Sequence, residues 1–372
     1  MRSHIAVLVI ALLASACHTN PQIDSIAGKL PLLDGDNRIG TIRGFNPDNP
    51  PETIDAMDAG WQEAVDAGMS VARLQIDWPE LEPSPNTFDM AALESRLDEM
   101  KSRGLQTFLL ISAYDSGEAV VPADLQGKDF DDPEFIQRFK NLMDRVIPML
   151  VEYDGYLISI SNEADNSFGE VPDLHKDILT FLVEVKKHVH EIDEQMAVTV
   201  TFSEGSLDAN RPGIDEILKA SDVVAWNFYG GDFRADGSPH YYPANSESEI
   251  KADVQRMLTV SGEKNIVIQE LGMWSGNTYL DSSEGIQRKF LEVFFAEMQK
   301  HDRIKAAYNF QMVDWSPGTT EIFSELLREE GLDQDFIDQF AESLNTIGLM
   351  HYDDGTKKPA WDEFIRWVDE FN

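Results

Sequence analysis

Residues 156–163 read Tyr156-Leu157-Ile158-Ser159-Ile160-Ser161-Asn162-Glu163. Side chains alternate along a strand, so Ser159, Ser161 and Glu163 share one face and Ile158 and Ile160 the other. In a strand that lines a barrel, the isoleucines would meet surrounding helices and the polar set would face inward. Seven further runs have strand character: 39–45 (IGTIRGF), 71–77 (VARLQID), 105–112 (LQTFLLIS), 197–202 (AVTVTF), 222–228 (DVVAWNF), 265–270 (NIVIQE) and 305–312 (KAAYNFQM). Helical patterns separate them, at 52–68, 90–103, 133–152, 173–194, 213–220, 248–259, 283–300 and 358–370. Several of these open on capping signals, such as Asp132-Pro133 and Ser282-Ser283-Glu284. Eight strands alternating with eight helices predict an α/β fold, a single (β/α)8 TIM barrel. A doubly wound sheet would want a glycine-rich phosphate turn after the first strand, and Arg43-Gly44-Phe45-Asn46-Pro47 is not one.

The chain has 372 residues, of which 67 are acidic and 30 basic, for a formal net charge of -37. A nucleic-acid partner needs a basic footprint, and no run rich in lysine and arginine is present. Anionic glycans would also be repelled. The acidity reads as a soluble surface suited to a saline habitat.

Residues 1–16 predict a lipoprotein signal peptide. Arg2 supplies the positive start, and Ile5 to Leu13 form an apolar run too short to span a membrane. Ala14-Ser15-Ala16 lead straight into Cys17, the one cysteine of the chain. The pattern resembles a bacterial lipoprotein signal, which implies lipidation of Cys17 and a membrane partnership through that anchor. His18 in place of an aspartate implies sorting to the outer membrane, on its periplasmic or cell-surface side. Residues 17–36 then form the lipidated tether, and 37–372 the catalytic barrel.

Active sites of such barrels lie at the C-terminal ends of the strands, and those ends are polar here. They carry Asp77-Trp78, Asn162-Glu163, Asn227-Phe228-Tyr229, Glu270 with Trp274 beyond it, and Asp314-Trp315. Strands four and seven stand on opposed sides of an eight-membered ring, so Glu163 and Glu270 can converge across its mouth. Two carboxyls about 5–5.5 Å apart suit a retaining glycoside hydrolase, one as nucleophile and the other as acid and then base.

An Asn-Glu pair ending strand four, with a glutamate ending strand seven, resembles clan A of the glycoside hydrolases. The resemblance implies Glu163 as acid/base and Glu270 as nucleophile. It implies Asn162 on the sugar hydroxyl beside the reacting carbon, Tyr229 on the nucleophile, Trp315 flooring the cleavage subsite, and Arg73 supporting the nucleophile. The stretch from Trp78 to Pro83, followed by Asn86-Thr87-Phe88-Asp89, is similar to a segment common after strand two. A His-x-Tyr arrangement found on strand six of some family 5 enzymes is replaced by Asn227-Phe228-Tyr229, so families 42 and 53 stand beside family 5 as relatives.

Trp78, Trp274 and Trp315 lie past strand ends and are expected, with Asn227, to contact sugar. Trp61, Trp226, Trp361 and Trp367 are expected to pack. Glu204 is a rival acid, and His240 a possible subsite residue. His188 and His190 do not share a helix face, and no strand carries a His-x-His pair, so no metal is expected and no cofactor is needed. The expected partner is a neutral poly- or oligosaccharide. A transglycosylase with the same residues, and a glycan-binding lipoprotein that lost turnover, remain open alternatives.

Overall fold

A computed structural model describes residues 37–42, 49–207, 211–233, 241–329 and 331–372. The leader at 1–16, Cys17, the tether at 17–36, the turn at 43–47 and His240 lie outside the described residues. Eight parallel strands close on themselves: β1 (Arg38–Thr41), β2 (Val71–Gln75), β3 (Gln106–Leu110), β4 (Gly155–Asn162), β5 (Ala197–Ser203), β6 (Val224–Phe228), β7 (Ile266–Leu271) and β8 (Ile304–Asn309). Each pairs with its chain neighbours, β1 pairs with β8, and β3 pairs with β4 to complete the ring. This is the (β/α)8 barrel expected from the pattern.

Helices α1 (Pro51–Asp66), α2 (Ala91–Ser102), α3 (Pro133–Glu152), α4 (Leu174–Ile192), α5 (Ile214–Ala220), α6 (Glu247–Val260) and α7 (Glu284–Met298) fill the crossovers. Helix α3 shows how the sequence builds them. Asp132 accepts from the amides of Glu134 and Phe135, and Pro133 takes the first helical position, where its missing N–H costs nothing. Its apolar stripe, from Phe135 through Phe139, Leu142 and Val146 to Leu150, is buried against the barrel. Ile158 and Ile160 meet that helical layer, as their pleat requires, while Trp61, Trp226, Trp361 and Trp367 pack in it.

After β8 the chain makes two helices that periodicity did not anticipate, α8 (Pro317–Glu329) and α9 (Gln334–Asn345), before α10 (Pro359–Glu370) closes the ring. This segment is stapled to the mouth of the barrel. Glu342 of α9 accepts from the amides of Asn277, Thr278, Tyr279 and Leu280 in the loop after β7. Behind it Asp314 and Lys358 form a buried ion pair at 2.6 Å, and Asp314 also accepts from the Gly348 amide. A buried pair of this kind adds little net stability, yet removing one partner strands the other charge.

Candidate active site

The two glutamates reach the mouth by different backbone devices. At the end of β4 the ladder slips. Ser159 pairs with Thr199 but Asn162 pairs with Thr201, so one residue is extra on β4. Beyond Asn162 the chain leaves the strand, and Glu163 adopts φ 49° and ψ 29°. That left-handed conformation costs a non-glycine residue about 1–3 kcal/mol and persists where its surroundings impose it. Here the Glu163 amide donates to the Thr201 carbonyl at 2.9 Å, and its carbonyl accepts from the Asn166 amide. The extra residue breaks the alternation that would group Glu163 with Ser159 and Ser161, so the turn and not the pleat aims Glu163.

Glu270 depends on a second bulge. Ile268 faces Trp226 and Glu270 faces Asn227, which leaves Gln269 as the extra residue of β7. A bulge puts consecutive side chains on one side and re-aims the residues beyond it. Gln269 and Glu270 both project inward, where strict alternation would have sent one of them to the helices.

The surroundings of the two carboxyls differ. Arg73 on β2 donates Nη2 to Glu270 Oε1 at 3.1 Å, and the Tyr229 hydroxyl donates to Glu270 Oε2 at 2.5 Å. Glu163 meets neutral groups. Its Oε1 accepts from Asn227 Nδ2 at 2.9 Å, and its Oε2 from Asn166 Nδ2 at 3.1 Å. Between them lies a buried amide network. Gln269 Nε2 donates to Asn162 Oδ1 at 2.8 Å and to Asn227 Oδ1 at 3.3 Å, while its own oxygen accepts from Thr201 Oγ1 at 2.6 Å. Asn162 in turn donates to Asp115 Oδ1 at 2.9 Å.

These surroundings separate the two acids electrically. Burial pushes Glu163 up to about 8, and the negative charge of Glu270 adds to that rise. Burial raises Glu270 as well, but the Arg73 guanidinium and the Tyr229 hydroxyl oppose it. Of the pair, Glu270 is the one that sits beside a cation. The shared environment therefore favours a proton on Glu163 and a charge on Glu270.

Glu204 is also pushed up to about 8 by burial, so titration alone would not choose between it and Glu163. Geometry does. The Glu204 carboxylate accepts from the backbone amides of Tyr229 at 2.9 Å and Gly230 at 3.2 Å, and thereby anchors the turn that carries Tyr229.

Three expected sugar contacts are corrected. Trp78 begins a short helix, Trp78–Leu81, that swings its ring out of the mouth and beneath α3. The ring is fully buried, edge-on to Phe135 and Phe139, and its Nε1 donates to Glu82 Oε2 at 2.8 Å. Trp274 is buried against Gly231 and Tyr241 and packs the loop after β6. Asn227 is 1% exposed and donates to Glu163 and Asn162, so it orients the Glu163 carboxyl. Trp315 is half-buried and lines a cavity of about 590 Å³ at the mouth, together with Phe310 and Arg73, the partner of Glu270.

Sequence reasoning missed Gln269, Asp115 and Asp165. Gln269 sat unremarked in an apolar run. Asp165, fully enclosed, gathers the Ser203 amide and hydroxyl, the Ser206 hydroxyl and Arg211, and so fixes the turn after Glu163. Its signal was position, two residues past the expected acid.

No family model matches this chain, and no curated protein does either. Solved structures do. A GH5_18 protein from Bifidobacterium longum, in complex with Manβ1-4GlcNAc, superposes with a TM-score of 0.67 at 14% identity, covering 90% of this chain and 78% of that one. An exo-β-1,4-mannosidase from an Opitutaceae bacterium superposes at 0.63 with 15% identity, over 90% of this chain and 59% of the other. A psychrophilic glycoside hydrolase family 10 endo-β-1,4-xylanase gives 0.58 at 12% identity, over 89% and 96%. At these identities the likeness is one of fold, a single (β/α)8 barrel, and it is independent of the side chains described above.

Proposed function

We propose that this chain is a retaining glycoside hydrolase that cleaves β-glycosidic bonds of neutral poly- or oligosaccharides. The observation that carries the reading is the asymmetry of the two carboxyls. Glu270 is clamped by Arg73 and Tyr229, whereas Glu163 is raised to about 8 among neutral amides. A nucleophile must be ionised and a general acid protonated in the same cavity, and this arrangement supplies both states. A Glu270 oxygen attacks the anomeric carbon while Glu163 passes its proton to the leaving oxygen. A glycosyl ester on Glu270 results. Glu163, now a carboxylate, takes a proton from water, and that water displaces Glu270 from the sugar. Arg73 holds Glu270 charged before attack and receives it again after release. The fold likeness to a mannosidase and a xylanase agrees with this reading.

The same proposal puts the protein outside the cytoplasm, held to the outer membrane by lipid on Cys17. The support is the leader at 1–17. Membrane fractionation of a Cys17→Ala chain tests it, and an undiminished membrane fraction would sink it.

The test of activity is product release from a panel of neutral β-glycans, headed by β-1,4-linked mannans and xylans. Glu270→Gln is expected to abolish release. Glu163→Gln is expected to lower it by about 10²–10⁴-fold, the usual share of a general acid. Release that survives both substitutions would overturn the assignment.

A further inference from the structure

A third carboxyl shares the mouth with Glu163 and Glu270. Asp115 stands past β3 on a two-residue hairpin, in which Tyr114–Asp115 pairs with Glu118–Ala119. Ser116 and Gly117 at its tip take φ of 47° and 114°, the positive values that so tight a turn demands. The hairpin is tied to β4. The Ser116 amide donates to the Asn162 carbonyl at 3.0 Å, and the Tyr114 carbonyl accepts from Ser161 Oγ at 3.1 Å. Half-buried Asp115 is thereby held level with Asn162.

Its carboxylate meets the partners of both glutamates. Oδ1 accepts from Asn162 Nδ2 at 2.9 Å. With that nitrogen committed, Asn162 presents its oxygen to Asn227 Nδ2 at 3.1 Å, and the same Asn227 nitrogen donates to Glu163. A flipped Asn162 would set N–H against N–H. Asp115 Oδ2 accepts a long bond of 3.4 Å from Gln75 Nε2, and Gln75 Oε1 accepts at 2.9 Å from the Arg73 nitrogen that also donates to Glu270. The titratable and charged groups facing Glu163 are Glu270 on β7, Tyr229 and Tyr241 past β6, Asp165 with its partner Arg211, and Asp115. Burial keeps the two tyrosines protonated. Arg73 answers Glu270 and Arg211 answers Asp165. Toward β2, Asp115 meets Asp77, which has Glu80 and Arg96 near it. Asp115 thus adds a negative charge that raises both Glu163 and Glu270. Of those two, Glu163 has no cation beside it to oppose a proton.

We propose that Asp115 is a positioning residue of the reaction: it fixes the Asn162 amide, and through it Asn227, and its charge favours the proton that Glu163 delivers to the leaving oxygen. The inference rests on the glycosidase reading and extends it from two acids to three.

Two variants separate charge from aim. Asp115→Asn keeps an oxygen for Asn162 and removes the charge, whereas Asp115→Ala removes both. Glutamates labelled with carbon-13 at the side-chain carboxyl are titrated by NMR, Glu163 being the signal that Glu163→Gln lacks. Its midpoint is expected to fall by about half a pH unit or more in both variants, since a neighbouring like charge raises a carboxyl. The alkaline limb of kcat/KM should move to lower pH with it. At its optimum Asp115→Ala is expected to turn over about tenfold or more slowly than Asp115→Asn, because misplacing a reacting group by about 1 Å costs up to about 10²-fold. A Glu163 midpoint unmoved in both variants, or equal rates for the two, overturns the proposal. The carboxyl titration needs no turnover. Failure of the glycosidase reading therefore shows separately, as absence of product release by the unsubstituted chain.

Discussion

The inside of this barrel has two floors built from the same strands. The lower floor holds Val71, Phe108, Leu157, Val267 and Tyr308, all buried, with the Phe108 and Tyr308 rings 5.7 Å apart. Two residues further along, β2, β4 and β7 present Arg73, Ser159 and Gln269, and Thr201 of β5 and Glu270 next to the bulge join them through hydrogen bonds. The lower floor is held by contact and tolerates no gap. The upper floor is held by direction, because each buried donor there must find its acceptor. Stability and chemistry are thus separated by about 7 Å of strand, the rise of two residues.

The comparison breaks most sharply at Phe108. Phe108→Ala opens a cavity in the lower floor and is expected to cost about 3–5 kcal/mol of stability. Denaturant unfolding reads the loss, and turnover per folded molecule should be retained. An equal collapse of turnover at full folding would show that the floors are not separable. Gln269→Leu tests the upper floor. It strips partners from Asn162, Asn227 and Thr201, and should cost about 1–3 kcal/mol in unfolding free energy. Unlike Phe108→Ala it should also depress turnover in molecules that are folded, since Asn227 aims Glu163. A change in stability with no change in turnover would reduce Gln269 to packing.

The smallest effect is in the pH profile. On the proposed mechanism Glu163 carries its proton before attack, and its pKa is pushed up to about 8. Accordingly kcat/KM should hold to about that pH and then fall about tenfold per unit. The limb belongs to Glu163, so Glu163→Gln should lose it. An alkaline limb persisting unchanged in that variant would assign the titration to another group.

Much of this was legible in the sequence where local pattern and local structure coincide. The alternation placed Ile158 against helices and Ser159 inward, because the ladders of β4 run regularly over Leu157–Ser159 and slip only before and after it. It was less legible where the backbone departs from rule. A bulge at Gln269 is decided by how β7 pairs with β6 and β8, and no residue in Ile266–Glu270 announces it. Trp78 was misread because a position past a strand end does not say which way the next turn goes. Helices α8 and α9 went unseen for a related reason. Their apolar residues do not all face a core: Ile322 and Leu326 are exposed. An apolar pattern left partly exposed among the described residues is hard to tell from loop.

The bulge at Gln269 also changes what an odd or even position means. Along an uninterrupted strand, parity is conserved: knowing one inward residue names all the others. One extra residue resets the count, and everything after it answers to the opposite parity. In β7 that reset falls between Val267, which belongs to the lower floor, and Glu270, which belongs to the upper. Two strands of equal length and composition can therefore carry an acid at the same ordinal place and present it to opposite sides of the sheet. The inserted residue acts as a punctuation mark, and the side chain after it takes its meaning from that mark as much as from its own chemistry.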